Sequence, residues 1–128
     1  MNFLRRLFGR QDEDEGDLPI NLNVPARKEQ LVRLEHALDE LATAMRQAQS
    51  VDNPGWRARV NEYSRLAGEA MLQRQGTPTR EGLLDLAFEI RPLFSGDIPP
   101  ELASLAPLQD RVVALSNELS ELLPGERA

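Results

Sequence analysis

Two runs of apolar residues share one spacing, and they constrain the fold more than any other feature of this sequence. Both runs alternate steps of three and four residues, which puts their members on one stripe of an α helix. The first run comprises Leu31, Leu34, Leu38, Leu41, Met45 and Ala48. The second run comprises Leu105, Leu108, Val112, Leu115, Leu119 and Leu122. We therefore expect two long helices, each with an apolar stripe that other helices must cover.

Small residues beside the first run indicate how that covering is achieved. Ala37, Ala42 and Ala44 flank the stripe at positions where a coiled coil carries long charged side chains. Alanine there widens the apolar face and lets neighbouring helices approach closely. This pattern favours a bundle of several helices over an isolated two-stranded coil.

Prolines and capping residues mark where the first two helices begin. Pro25 suits a first helical turn, where its missing N–H group has no partner to lose. We expect the first helix over about residues 25–49. Asn53 followed by Pro54 is typical of an N-cap and a first helical position. The second helix is therefore predicted over about residues 54–75.

The third predicted helix spans about residues 78–94. Gly76 should end the second helix in the left-handed conformation. Thr77 and Pro78 then repeat the pattern of a cap followed by proline. Pro92 should end or kink the third helix just before it, because proline removes a backbone donor and clashes with the preceding turn.

The fourth predicted helix has a short helical turn before it. Pro99 and Pro100 open that turn, and the main helix should start near Ser104 with Pro107 still in its first turn. Pro124 and Gly125 end the region. Four helices joined by short loops imply antiparallel neighbours, so we predict an all-α fold with an antiparallel four-helix bundle.

Charge divides the chain into segments of different character. Residues 1–10 (MNFLRRLFGR) carry three arginines and no acid, whereas QDEDEGD at residues 11–17 carries five acids and no base. We predict a short amphipathic docking helix over 1–10 and an acidic flexible linker over 11–24. The bundle then covers 25–124, and residues 125–128 form a tail.

The side chains that most often perform catalysis or bind metals are scarce. The chain has no cysteine and one histidine, His36, which excludes disulfides, thiolate metal sites and multi-histidine sites. It lacks the glycine-rich phosphate-binding motifs. A net charge of −6 argues against nucleic-acid binding, which needs a basic surface. We expect no cofactor, no nucleic-acid partner and no enzymatic activity.

One acidic stripe on the third predicted helix supports an alternative. Glu81, Asp85 and Glu89 recur every four residues, and close carboxylates can share a metal ion or perform acid–base chemistry. The alternative function is therefore a metal-binding or enzymatic helical bundle that uses this stripe. A contact surface for an arginine-rich partner and a plain solvated edge are the other two interpretations.

The strongest binding signal lies in residues 1–10. Around a helix, the apolar side chains fall within an arc of about 140°, and Arg5 and Arg6 lie opposite it. A helix this short is marginal in water and should form only when it docks. The residues predicted to bind are Phe3, Leu4, Arg5, Arg6, Leu7, Phe8 and Arg10. Their target is a membrane surface or a groove on a partner protein; otherwise the segment stays unstructured or folds back onto the bundle.

A second binding signal comes from Leu84 and Phe88, which lie off the main apolar face of the third helix. Either that helix lies centrally and buries both sides, or the pair forms an interface with a partner or a second copy. Trp56 and Tyr63 on the second helix are interpreted as core residues in preference to a ligand cage.

These patterns together predict a non-catalytic adaptor or assembly subunit. Residues 1–10 would recruit it to a protein partner or a membrane surface. No apolar run approaches the roughly 18 residues that a membrane-spanning helix needs. The apolar core of an export signal is missing after Arg5 and Arg6. We therefore expect a cytoplasmic location, with peripheral membrane attachment as the variant that lipid docking would produce.

Overall fold

The structure is a computed structural model that describes residues 21–48 and 53–127. Its helices are α1 (Val24–Ala48), α2 (Pro54–Gln75), α3 (Arg80–Glu89) and α4 (Ala106–Ser120), and a 3₁₀ helix (Pro100–Leu105) runs directly into α4. Across these residues there is no β strand, only an isolated bridge between Asn21 and Arg127. The predicted all-α helical bundle is confirmed, while the predicted docking helix over residues 1–10 lies outside the described residues.

The chain divides into two compact units, and the four helices belong to the larger one, Val24–Glu121. Within that unit α1 is central, because it packs against α2, against α4 and against the 3₁₀ helix. α4 in turn packs on α3. The first apolar run lies at the middle of these contacts, and its fully buried members are Leu31, Leu34, Leu38, Leu41 and Met45.

The last residue of each predicted apolar run is exposed and does not belong to the core. Ala48 is exposed, as are the two residues before it, so the final turn of α1 extends past the core. Met45 is the last buried position, and its carbonyl accepts a hydrogen bond from the Trp56 indole N–H at 2.8 Å. Leu122 is also exposed, because α4 ends at Ser120 and the chain turns extended at Glu121.

The end of α4 is occupied by a buried arginine from α1. Arg27 is 0% exposed, and its Nη1 donates to Gln30 Oε1 at 2.9 Å and to the carbonyls of Glu118 and Leu119 at 3.2 and 3.3 Å. Its Nη2 donates to the Glu121 carbonyl. The last carbonyls of a helix lack partners within the helix and form the negative end of its dipole. A cation placed there satisfies both needs.

The N-cap predicted for α2 is confirmed, whereas two predictions about the junction between α2 and α3 are wrong. Asn53 is the N-cap of α2, and its side chain accepts from the N–H groups of Gly55 and Trp56. Gly76 is not left-handed: its φ is −96° and its N–H donates to the Leu72 carbonyl. The predicted cap at Thr77 is also wrong.

Thr79 is the residue that caps α3. Its hydroxyl accepts a hydrogen bond from the Gly82 N–H at 3.0 Å, which satisfies a backbone donor in the first turn. At the other end α3 stops at Glu89, several residues short of the predicted 94. Ile90 is already extended, and Arg91 is restricted by the proline that follows it. α3 is therefore only ten residues long.

In the smaller unit, residues 21–23 and 122–127 are described. The carboxylate of Glu126 accepts from the Asn23 N–H at 2.9 Å and from the Leu123 N–H at 2.8 Å. Gly125 has a φ of 87°, a conformation that glycine adopts without strain. Residues 21–23, predicted as linker, and 125–127, predicted as tail, thus hydrogen-bond within one unit.

The role of the buried arginine can be tested by a matched pair of substitutions on α1. Arg27→Met keeps side-chain length but removes the donors to the end of α4. We expect the free energy of unfolding to fall by about 2–4 kcal/mol, since each buried carbonyl left unsatisfied costs about 1–3 kcal/mol. Arg33 is half-exposed and lies 3.7 Å from Glu118, so Arg33→Met should cost less than about 1 kcal/mol. Urea unfolding followed by circular dichroism measures both, and equal losses would contradict the assignment.

Candidate functional site

α3 presents one exposed face that combines apolar and acidic side chains. At about 100° per residue, the exposed residues fall within one arc of about 140°, and the buried Leu83, Leu86 and Ile90 lie on the other side. We call the exposed face the α3 surface, and it comprises Glu81, Leu84, Asp85, Phe88 and Glu89. Phe88 is 89% exposed and Leu84 is 39% exposed. The interpretation in which the third helix buries both of its sides is therefore wrong.

Hydrogen bonds with α2 and with α4 hold the first turn of α3. Arg80 Nη2 donates to the Ser120 carbonyl at the end of α4 at 3.0 Å. Gln73 Nε2 on α2 donates to the Gly82 carbonyl at 3.0 Å. A Cβ atom at position 82 would lie only 3.1–3.2 Å from the side chains of Thr79 and Gln73. Glycine thus permits the close approach of α2 to this turn.

The last turn of α3 and the residues after it are held in the same way. Ser116 Oγ on α4 donates to the Ala87 carbonyl at 3.3 Å. Tyr63 Oη on α2 donates to the Arg91 carbonyl at 2.7 Å, and Arg59 Nη2 donates to the Pro92 carbonyl at 2.9 Å. Both ends of this short helix are therefore fixed by hydrogen bonds to its backbone.

Tyr63 belongs to the core, as predicted, and does not line a ligand cage. It is 1% exposed, its hydroxyl accepts from Arg59 Nη2 at 2.7 Å, and the Arg59 guanidinium lies 5.2 Å from the centre of its ring. Burial raises the pKa of the Tyr63 phenol above its ordinary value, because the charged form loses its hydration; the nearby Arg59 charge partly opposes this rise.

The arginines of α2 meet different acids. Arg65 Nη1 lies 3.6 Å from Glu89, so it reaches the α3 surface across the helix pair. Arg74 instead pairs with Glu35 on α1 at 2.6 Å, and this hydrogen bond raises the pKa of Arg74. Arg59 lies 3.6 Å from Glu62 on its own helix. Among the described residues, no basic side chain lies within salt-bridge distance of Glu81 or Asp85.

The acidic stripe does not converge. Residues spaced by four along a helix rise by about 6 Å per step, so Glu81 and Glu89 are separated by about 12 Å along the axis. In the part of the chain that the structure describes, no group of three or more His, Cys, Asp or Glu residues could hold a metal ion. His36 is exposed on α1, as expected of a solvated surface histidine.

Two open grooves lie elsewhere on the larger unit. The first, of about 410 Å³, is lined by residues of α1 and by Leu108 of α4, and its Glu40 pairs with Arg111 at 3.2 Å. The second, of about 380 Å³, lies where Gln109 Oε1 accepts from the Phe94 N–H at 2.6 Å. Within the described ranges, neither groove is lined by histidine or by a buried carboxylate. The α3 surface remains the candidate functional site.

The structure leaves the other predicted binding segment untested. These residues lie outside the described part of the chain: Phe3, Leu4, Arg5, Arg6, Leu7, Phe8 and Arg10. The predicted pair on α3 is placed, and the predicted acidic stripe of Glu81, Asp85 and Glu89 lies beside it on the same exposed face. The pair's exposure was one of two alternatives from sequence. The sequence does not show which elements pack against α3, so only the structure decides whether Leu84 and Phe88 are exposed or buried.

Comparisons with protein-family models, with curated proteins and with solved structures found no match for this chain. No helix among the described residues is long and apolar enough to cross a membrane. Any functional proposal therefore depends on the side chains themselves.

The two faces of α3 should differ in how strongly a substitution changes the free energy of unfolding. Phe88→Asp should change the free energy of unfolding by no more than about 0.5 kcal/mol, because an exposed side chain contributes little to folding. Leu83→Ala on the buried face should cost about 2–5 kcal/mol. Thermal or urea unfolding compares the two variants, and a large loss for Phe88→Asp would mean that Phe88 packs within the fold.

The raised pKa of Tyr63 predicts a loss of stability at high pH. The phenol ionises more readily in the unfolded chain, so its contribution is complete below about pH 10 and is lost as the pH rises through the folded-state pKa. Tyr63 is the only tyrosine, so absorbance at the tyrosinate band reports it alone. The band should appear at higher pH in native protein than in urea. The Tyr63→Phe variant has no phenol to ionise at this position. Its stability should therefore fall less above pH 10 than the stability of the wild type does.

Proposed function

We propose that this protein is a non-catalytic adaptor or assembly subunit that acts by binding other molecules. The observation that supports this proposal is the α3 surface, where Phe88 is 89% exposed on a helix whose first and last turns accept side-chain hydrogen bonds at the Gly82 and Ala87 carbonyls. Burying one such side chain in an interface would contribute about 2 kcal/mol. An apolar group held rigidly in solvent is typical of an interaction surface.

Residues 1–10 are proposed as the recruiting segment of this adaptor. Their apolar side chains would enter a groove on a partner protein or the boundary of a lipid bilayer, while the arginines remain at its edge. On anionic lipid, each arginine contributes about 1 kcal/mol and each half-buried phenylalanine or leucine about 1 kcal/mol. The five acids at residues 11–17 would repel the same lipid, so membrane binding by one copy would be weak. A protein groove carries no such penalty.

The recruiting role can be tested by co-sedimentation with vesicles that contain phosphatidylserine. The test variant is Phe3→Glu with Phe8→Glu, and the matched control is Asn2→Glu with Gln11→Glu, which adds the same charge but keeps both phenylalanines. If the membrane is the target, wild type and control should sediment with the vesicles and the test variant should not. Vesicles of phosphatidylcholine alone separate the contribution of charge from that of the apolar side chains.

A pull-down from cell lysate addresses the protein partner with the same three chains. The expected result is a protein captured by wild type and control but lost with the Phe3→Glu, Phe8→Glu variant. If the three chains behave alike in both assays, residues 1–10 do not recruit and the proposal fails.

A further inference from the structure

We propose that the α3 surface binds a basic amphipathic helix of a partner protein. The apolar stripe of that helix would lie on Leu84 and Phe88, and its arginines or lysines would pair with the carboxylates beside them. The inference rests on the proposed function, because it takes this surface to be a site of interaction, and it deepens that function by naming the chemistry of the partner. Three features support it: the layout of the surface, its charge and its size.

The apolar and acidic side chains of the α3 surface form two rows along the helix. Leu84 and Phe88 are one helical turn apart and make the apolar row. Glu81, Asp85 and Glu89 make the acidic row, which lies about 80° around the helix from the apolar row. A partner helix matches this layout when its apolar stripe carries basic residues along one flank.

The acidic row carries more charge than its described neighbours neutralise. Arg65 on α2 lies 3.6 Å from Glu89. Arg80 is next to Glu81 in the sequence, but it donates to the Ser120 carbonyl at the end of α4. Over residues 21–48 and 53–127, no basic side chain lies within salt-bridge distance of Glu81 or Asp85. These two carboxylates are therefore available to cations of a partner.

The sign of this charge distinguishes between the candidate occupants. The carboxylates would repel a membrane of anionic lipid. A second copy of α3 packed against the first would set one acidic row beside another, and like charges at a contact are unfavourable. A basic helix is attracted instead, and the net charge of −6 on the whole chain favours its approach from a distance.

The size of α3 suits a single helix. It has ten residues, so it is about 15 Å long and about 10 Å wide. Its exposed face is far smaller than the roughly 800 Å² that each partner buries in a stable interface between two folded proteins. The Gly82 and Ala87 carbonyls are already held by α2 and α4, so a partner helix would not have to order α3 when it binds.

The test titrates the full-length protein into a labelled peptide and follows its fluorescence anisotropy. The probe is a designed peptide of about 15 residues, a length at which helices begin to form in water. Leucines at steps of three and four give it an apolar stripe, arginines follow one flank, and alanines fill the other positions. A second peptide carries glutamate in place of every arginine. The wild type should bind the arginine peptide and not the glutamate peptide.

The contribution of the apolar row is measured by a matched pair of truncations. Phe88→Ala should weaken binding of the arginine peptide at least about tenfold, because it removes the largest apolar side chain of the site. The control is Leu72→Ala, at a leucine that is 59% exposed on α2. It should bind the arginine peptide as the wild type does.

A charge exchange tests the acidic row. Glu81→Arg with Asp85→Arg should abolish binding of the arginine peptide and create binding of the glutamate peptide, a gain that unfolding cannot produce. The matched control is Asp39→Arg with Asp97→Arg, which changes the net charge equally at two exposed acids outside α3. It should keep the wild-type preference. The five acids at residues 11–17 are present in both variants, so they cannot account for a difference between them.

Four results would overturn the proposal. The first is no binding of the arginine peptide up to about 1 mM, where binding is already very weak. The second is equal affinity of wild type and Phe88→Ala. The third is binding of the arginine peptide that survives the exchange on α3, because it would come from acids elsewhere in the chain. The fourth is a wild-type dimer in sedimentation velocity that Phe88→Ala dissociates, which would assign the surface to a second copy.

These outcomes are distinguishable from a failure of the proposed function. If recruitment depends on Phe3 and Phe8 while all the α3 variants bind the two peptides alike, the basic helix is the wrong partner and the adaptor role stands. If the peptides respond as expected while residues 1–10 recruit nothing, the site on α3 stands and the recruiting role of that segment is wrong.

Discussion

The larger unit depends on how the C-terminal end of α4 is satisfied. Carbonyls there would be costly to bury without donors, and Arg27 supplies the donors from inside the core. This joins the first turn of α1 to the last turn of α4, across more than ninety residues of sequence. The central helix and the last helix are thereby locked in register. The start of α3 uses the same end of α4 through Arg80, so three helices share one polar junction.

The apolar spacing predicted the helices and most of the core, because burial of a helical stripe is a local property of the sequence. It did not predict Arg27. Arg27 lies four positions before Leu31, so it extends the buried stripe of α1 by one member toward the N-terminus. A pattern built only from apolar side chains does not include an arginine. The partners that make its burial favourable come from α4, and no local pattern contains them. The choice of Thr79 over Thr77 as cap depends in the same way on which hydroxyl reaches an N–H group.

The candidate site was predictable as an apolar pair and an acidic stripe on one helix, but not as a single exposed surface. The four-residue spacing of Leu84 and Phe88 placed them together, and their offset from the main stripe left burial and exposure as two open alternatives. The structure decides for exposure because only Leu83, Leu86 and their neighbours on that side face α4 and the rest of the unit. The early end of α3 could be anticipated from Pro92. The hydrogen bonds that hold the helix after it ends, from Tyr63 and Arg59, could not.

The contacts that fix α3 have a consequence for how its sequence can change over time. The donors on α2 and α4 bind backbone carbonyls of Gly82, Ala87 and Arg91, groups that every amino acid has. Apart from Glu89, which pairs with Arg65 on α2, the outward side chains between those carbonyls take no part in holding the helix. Mutations at these outward positions can therefore accumulate without unfolding the protein, and selection can retune what the surface recognises while the scaffold remains the same.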